Sequence, residues 1–250
     1  MKTPLDCLES KKAEENSLTV HDYDEIKEEK KVWDGRAETI QHDVECAHGV
    51  RIKTSAFQKS IFQVYRFFKG SGENNSLLDL GCGNGLFTVP LTNIFKNVVG
   101  VDISKPMMKR CKEKRSNLNF VVASTTHLPF KDHIFDGVLS VSVLHILRQK
   151  SIAEKVVREI TRIATISSFI FLTFHETGTW SHAHTNLVKN ILKMEKFKLK
   201  QNPTSRLSFL ASYLLTTRLV QENSALVRFA RAHTRYVRLQ GSRASARIRI

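Results

Sequence analysis

The run LLDLGCGNG, Leu77 to Gly85, holds the residues most able to do chemistry, and Asp102 follows seventeen residues after its last glycine. Leu77, Leu78 and Leu80 supply an apolar strand. Gly81, Gly83 and Gly85 let the backbone turn sharply and lie against a ligand. Val98, Val99 and Val101 form a second strand that ends in Asp102, whose carboxylate can accept hydrogen bonds from two vicinal hydroxyls. Asp79 sits two residues before the first glycine, where an acid repels a pyrophosphate and suits an ammonium group. Dinucleotide sites prefer G-x-G-x-x-G, with a final glycine for close helix packing. In this chain Leu86 holds that final position. The chemistry indicated is a ribose with a flexible, positively charged end.

These residues need strands and helices to hold them. A helix from Leu86 to about Phe95 is expected after the glycine turn, its N-terminal amides aimed back at the ligand. Ser104 can cap a helix that runs through Arg115, with Pro106 in its first turn. Phe120 to Ala123 reads as a third strand. Phe135 to Val143 is a nearly unbroken apolar fourth strand, as expected when both faces are covered. Val156, Val157, Ile160 and Ile163 share one face of a helix over 154–163, and Phe169 to Leu172 make a fifth strand ending at His175 and Glu176. Upstream, Phe57, Ile61, Val64, Tyr65 and Phe68 recur at helical spacing from Thr54 to Lys69. Alternating strands and helices imply an α/β, doubly wound, mainly parallel sheet, with ligands at the C-terminal strand ends.

The glycine run with its flanking strands resembles the first motif, D-x-G-x-G-x-G, of the class I S-adenosylmethionine-dependent methyltransferases. LPFKDHIFDGVLSVSVLHIL matches the link and fourth strand of the group that includes the ubiquinone/menaquinone-type C-methyltransferases. The resemblance covers Leu77 to Glu176 and implies a Rossmann-like methyltransferase fold of seven strands, with S-adenosylmethionine as cofactor. It places Asp79 and Gly81 near the cofactor's amino-acid portion, with Gly83 and Gly85 shaping the turn. It gives the ribose hydroxyls to Asp102 and the adenine face to Ile103. Ser124 stands where the family commonly has an adenine-binding aspartate, and its hydroxyl can accept the same hydrogen bond. Val141 lies beside the methyl donor.

Methyl transfer from a sulfonium depends on alignment, and a base matters only when the acceptor must lose a proton. His145, just past the fourth strand, and His175, past the fifth, are the best-placed bases, although a structural role is the commoner one for a histidine so placed. His175, His182 and His184 lack ligand spacing and acidic partners, so no metal is expected. No N-P-P-Y follows the fourth strand and no Pro-Cys nucleophile occurs, which argues against methylation of DNA bases.

The chain has 250 residues, 41% of them hydrophobic, and a net charge of +15. No stretch approaches the roughly 20 apolar residues of a membrane span. The N-terminus lacks the apolar run of a signal peptide, and Cys7, Cys46, Cys82 and Cys111 show no paired spacing. A reduced, cytoplasmic protein is expected. Residues 1–50 are charged and read as an arm or a helix that folds over the site, 51–176 as the methyltransferase core, and 177–250 as a basic extension. Residues 185–200 and 207–239 have helical spacing, and no final β-hairpin is evident there, so this part reads as atypical, helical or disordered. Residues 201–250 carry nine arginines against Glu222, a net +8 that favours polyanions such as RNA. The acceptor expected is therefore a small metabolite or RNA. The alternatives are a tRNA wobble-uridine methyltransferase and a non-catalytic protein of this fold that binds RNA or a partner. A nucleotide-dependent oxidoreductase is opposed by Leu86 and Asp79.

Overall fold

The computed structural model describes residues 18–48, 54–69, 75–114, 118–173, 182–195, 197–201 and 236–241. In chain order the elements are α1 (Val20–Thr39), α2 (Asp43–His48), α3 (Thr54–Lys69), β1 (Ser76–Leu80), α4 (Thr88–Leu91), β2 (Asn97–Asp102), α5 (Lys105–Lys114) and β3 (Asn119–Val122). There follow β4 (Phe135–Ser140), a 3-10 turn (Leu144–Ile146), α6 (Lys150–Ile163), β5 (Ala164–Thr173), α7 (His182–Met194), β6 (Phe197–Gln201) and β7 (Tyr236–Gly241). The sheet runs β3-β2-β1-β4-β5-β7-β6. The first five strands are parallel, and β7 pairs antiparallel with both β5 and β6.

Strand alternation divides the core into two halves. Leu78 and Leu80 of β1 join Val99, Val101, Val138, Ile170 and Leu172 against α6 and α7. Leu77 faces the other way with Val98, Leu139 and Phe171, under Val64 and Phe68 of α3 and Leu91 and Phe95 around α4. Period-2 alternation puts Asp79 on that second side, beneath a helical layer. The strand order reverses between β1 and β4, so both outermost directions of the winding begin at β1. A crevice therefore opens past its carboxyl end.

Several sequence expectations are corrected. The helix after the glycine turn is only Thr88–Leu91. Pro90 has no N–H to contribute, and the amides of Thr92, Asn93 and Ile94 reach back only three residues, to Val89, Pro90 and Leu91. The fourth strand stops at Ser140 and gives way to the 3-10 turn. β5 starts at Ala164, directly after α6, with a register shift opposite Phe135 and Gly137. The helical reading of 185–200 holds through Met194, but Phe197–Gln201 is strand. Most of 207–239 lies outside the described residues, and its last four positions belong to β7. The antiparallel pair missing from the sequence reading is thus β6 with β7. Both carry period-2 patterns, Phe197-x-Leu199 and Val237-x-Leu239, interleaved with lysine, arginine and glutamine. Among the described residues, no helix is long and apolar enough to cross a membrane.

Candidate active site

The turn after β1 is shaped by what surrounds it. Gly81 has φ +72 and Gly85 φ +79, in the left-handed region that favours glycine. A Cβ on Gly81 would stand 2.2 Å from a methyl of Val143, and one on Gly85 would stand 1.9 Å from Cys111 Sγ. The turn is closed from the neighbouring strand: Gly81 and Cys82 both donate to the Val101 carbonyl, at 2.8 and 3.0 Å. Asp102 locks the same turn. Its Oδ2 accepts the Gly83 N–H at 2.8 Å and its Oδ1 accepts the Ser104 N–H at 2.8 Å. A carboxylate offers about four lone-pair sites, so acceptor capacity remains for a ligand beyond these backbone donors.

The resulting cleft has Gly81, Gly83, Asp102, Ile103, Ser124 and Val141 among its lining residues. These come from the ends of β1, β2, β3 and β4. Ser142, also in the wall, has φ +60 and donates its N–H to Thr173 Oγ1 at 2.8 Å, which ties the end of β4 to β5. Such strained backbone persists where its surroundings fix it.

Asp79 and Gly85 do not line the cleft. Asp79 is 2% exposed and accepts the Thr88 hydroxyl at 2.6 Å. Burial raises its pKa to about 7, opposed by the Thr88 hydrogen bond and reinforced by the charge of Asp102. Burial also raises the Asp102 pKa, against the backbone amides of Ser104 and Gly83. His145 is likewise absent from the lining. It sits on the 3-10 turn, where residues three apart eclipse, and Val143 and Ile146 occupy the face toward the cleft. His175 lies outside the described residues. His184 is buried, and its Nε2 is 3.1 Å from the Arg148 carbonyl.

The opposite wall was not foreseen residue by residue. Glu25, Ile26, Glu29 and Trp33 of α1 and Ala47 of α2 close over the cleft. α1 starts with a capping box between Thr19 and Asp22. It is latched at one end by Ser151 Oγ donating to Asp22 Oδ1 at 2.7 Å and by the Arg148 N–H donating to Glu25 Oε1 at 2.6 Å. At the other end Arg110 of α5 donates to the carbonyls of Ala37, Ile40 and Gln41 and to Asp43. Asn84, within the glycine turn, donates from Nδ2 to Asp43 Oδ1 and its carbonyl, while the buried Asn84 Oδ1 has no partner among the described residues. That orphaned acceptor belongs to a lining residue and suits a ligand group with N–H donors.

Glu25, Glu29 and Asp102 put three carboxylates on the lining, which includes no lysine, arginine or histidine among the described residues. Burial raises the pKa of Glu29 and Asp102, and such carboxylates gain from a cation and lose from an anion. Together with the floor open at Gly83, these features fit a cationic nucleoside better than a pyrophosphate.

Residues 78–172 match the family model described as a methyltransferase domain. The tRNA (carboxymethyluridine(34)-5-O)-methyltransferase of Arabidopsis thaliana is 30% identical over 111 residues, 44% of this chain and 26% of that protein. A demethylmenaquinone methyltransferase of Paenarthrobacter aurescens is 25% identical over 128 residues, 51% of this chain and 50% of that one. The chain therefore spans a quarter to a half of the length of these curated relatives. Among solved structures, magnesium protoporphyrin IX methyltransferase from Synechocystis PCC 6803 with bound SAM superposes with a TM-score of 0.62 at 16% identity, covering 92% of this chain and 100% of that one. The N-methyltransferase NodS of Bradyrhizobium japonicum, in complex with S-adenosyl-L-homocysteine, gives 0.61 at 12% identity, covering 85% and 97%. At these identities the likeness is one of fold.

Proposed function

We propose that this chain, built around a class I S-adenosylmethionine-dependent methyltransferase domain, transfers a methyl group from S-adenosylmethionine to an acceptor that is a small metabolite or RNA. The observation that carries the reading is the charge of the cleft. Its lining carboxylates, Glu25, Glu29 and Asp102, with Asp79 buried behind the wall, complement a cationic nucleoside and oppose a dinucleotide. When bound, the cofactor supplies a methyl carbon on a positively charged sulfur.

The chain's own residues take the following parts. Asp102 accepts the ribose hydroxyls with the lone pairs its backbone donors leave over. Ile103 packs on the adenine, and Ser124 accepts from the adenine amino group in place of an acid. Gly81 and Gly83 form the floor under the amino-acid end, and Asn84 Oδ1 accepts from its ammonium. Val141 flanks the methyl-bearing end. Asp79 and Gly85 act from behind the wall, Asp79 through its field and Gly85 through the close approach of α5. Alignment in a closed cleft supplies much of the acceleration.

A thermal-shift and calorimetric comparison tests this directly. S-adenosylhomocysteine and S-adenosylmethionine are expected to bind and to raise the melting temperature, and NADH to do neither. Equal responses to all of them, or none to the first two, would remove the reading. One observation favours RNA as acceptor: the net +8 of residues 201–250, all of its positive charge from arginine. A non-catalytic protein of this fold would retain RNA while failing to bind the nucleoside. We further propose a cytoplasmic location, in keeping with free Cys46, Cys82 and Cys111.

A further inference from the structure

We propose that Glu29 is the proton acceptor of the reaction, and that the methyl acceptor is accordingly a neutral N–H or O–H nucleophile rather than a carboxylate. This rests on the methyltransferase reading above. The titratable side chains of the cleft are Glu25, Glu29, Cys82 and Asp102. Three of them are committed to the fold. Asp102 holds two backbone amides, Glu25 accepts the Arg148 N–H, and Cys82 sits with its sulfur 3.5 Å from Met108 Sδ. Burial and the charges of Asp102 and Asp79 keep the Cys82 thiol protonated.

Glu29 differs from these. It is carried on the α1 wall, its side chain is 20% exposed, and Arg148 lies 4.0 Å away. Burial raises its pKa, opposed by the Trp33 side chain and Arg148 and reinforced by Glu25 and Glu28. A carboxylate so placed is a stronger base than an ordinary glutamate and is oriented by two neighbours, as a general base needs to be. In the step, the acceptor's lone pair forms the bond to the methyl carbon. The carbon–sulfur pair returns to sulfur, leaving a neutral thioether, and the N–H or O–H proton passes to Glu29. The donor's positive charge and the negative charge of Glu29 are both consumed. A carboxylate acceptor has no proton to lose and would enter a cleft already lined by three carboxylates.

The test uses the full chain, tritium-labelled S-adenosylmethionine and the small-molecule and RNA fractions of a cell extract. Glu29→Gln is expected to bind S-adenosylhomocysteine, a thioether without the sulfonium charge that the Glu29 carboxylate complements, within about twofold of wild type. Its transfer of label is expected to fall about a hundredfold at pH 7, with the acidic limb of the wild-type rate profile flattened and Glu29→Asp restoring part of the rate. Equal rates for wild type and Glu29→Gln overturn the assignment. So does a tenfold or greater loss of S-adenosylhomocysteine affinity in Glu29→Gln, which would make Glu29 a cofactor ligand. Label released by mild base as a methyl ester overturns the acceptor class, and a wild type that binds the nucleoside but labels no fraction overturns the whole assignment. Failure of the wild type to bind S-adenosylhomocysteine marks the separate failure of the underlying function.

Discussion

At the scale of the residue, the site is a balance between a few carboxylates and the backbone that restrains them. Asp102 anchors the glycine turn through Gly83 and Ser104 and keeps acceptor capacity for a ligand. A charge-assisted hydrogen bond contributes about 1.5–3 kcal/mol. Asp102→Ala is therefore expected to weaken S-adenosylhomocysteine binding about tenfold to a hundredfold by calorimetry, in a protein whose circular dichroism is unchanged. Asp79 gives a stability signature. Its folded-state pKa, about 7, lies above its ordinary 3.8. Between those values the folded state binds more protons than the unfolded one, so this contribution is fully present in acid and is lost as pH rises through 7. Asp79→Asn keeps an acceptor for Thr88 and removes the charge. Urea denaturation is expected to show it gaining roughly 2–4 kcal/mol over wild type at pH 8 relative to pH 4. Gly85→Ala must absorb both an unfavourable φ and the Cys111 sulfur, and should lose about 2–4 kcal/mol. Adding Cys111→Ala relieves only the packing part, which a double-mutant cycle separates. Gly81, Gly83 and Asp102, which line the cleft, stand out in the sequence because turn geometry and strand-end charge restrict which residues can stand there, whereas Asp79 and Gly85 lie behind the wall. Glu25, Glu29 and Trp33 do not stand out. They sit four apart on one helical face, but within DEIKEEKKVW that stripe reads as part of a solvated charged helix until α1 is laid over the cleft.

At the scale of the element, the central strands β1, β2 and β4 could be read from the sequence because burial on both faces leaves short, nearly continuous apolar runs, and β3 and the second half of β5 by their short apolar runs. β6 and β7 escaped for the opposite reason. Their apolar residues alternate with lysine, arginine and glutamine, and the long stretch between them hides the pairing. The helix after the glycine turn was overextended because its apolar spacing outweighed Pro90. The most informative element is α1, since it forms a wall of the cleft without belonging to the sheet. Its attachment to α6 and the segment before it runs through Asp22, Glu25 and their partners Ser151 and Arg148. Burial pushes the Asp22 pKa up, but hydrogen bonds from Ser151 and Thr19 outweigh this and hold it below its ordinary 3.8. The resulting stabilisation is present above that value and is lost as pH falls through the lower folded-state pKa. Asp22→Ala removes the capping box together with the latch. Hydrogen exchange of the α1 amides is expected to quicken about tenfold to a hundredfold, with those of β1 and β4 unaffected. Uniform quickening would mean that α1 unfolds only with the whole protein. S-adenosylhomocysteine should reverse the effect in part, because a ligand that contacts the α1 wall favours its docked state.

At the scale of the whole molecule, the charges are segregated. The cleft is acidic, while the chain carries +15 overall and residues 201–250 contribute +8 of it. On the proposed reading, a polyanion is expected to be repelled by the cleft carboxylates and attracted by the arginines. That division allows RNA association and methyl transfer to be separated by experiment. If the C-terminal arginines neutralise about five phosphates of a single-stranded RNA, affinity should fall roughly a hundredfold between 50 and 200 mM salt. Arg243, Arg247 and Arg249 follow β7 in the chain. Replacing all three with glutamine should lower the log–log salt slope by about two, while S-adenosylhomocysteine affinity stays at the wild-type value. Filter binding across a salt series measures the first and calorimetry the second. An unchanged slope would place the RNA contact elsewhere or nowhere. A joint loss of both affinities would mean that the basic segment supports the sheet edge rather than a polyanion, because β7 is the strand through which that segment joins β5.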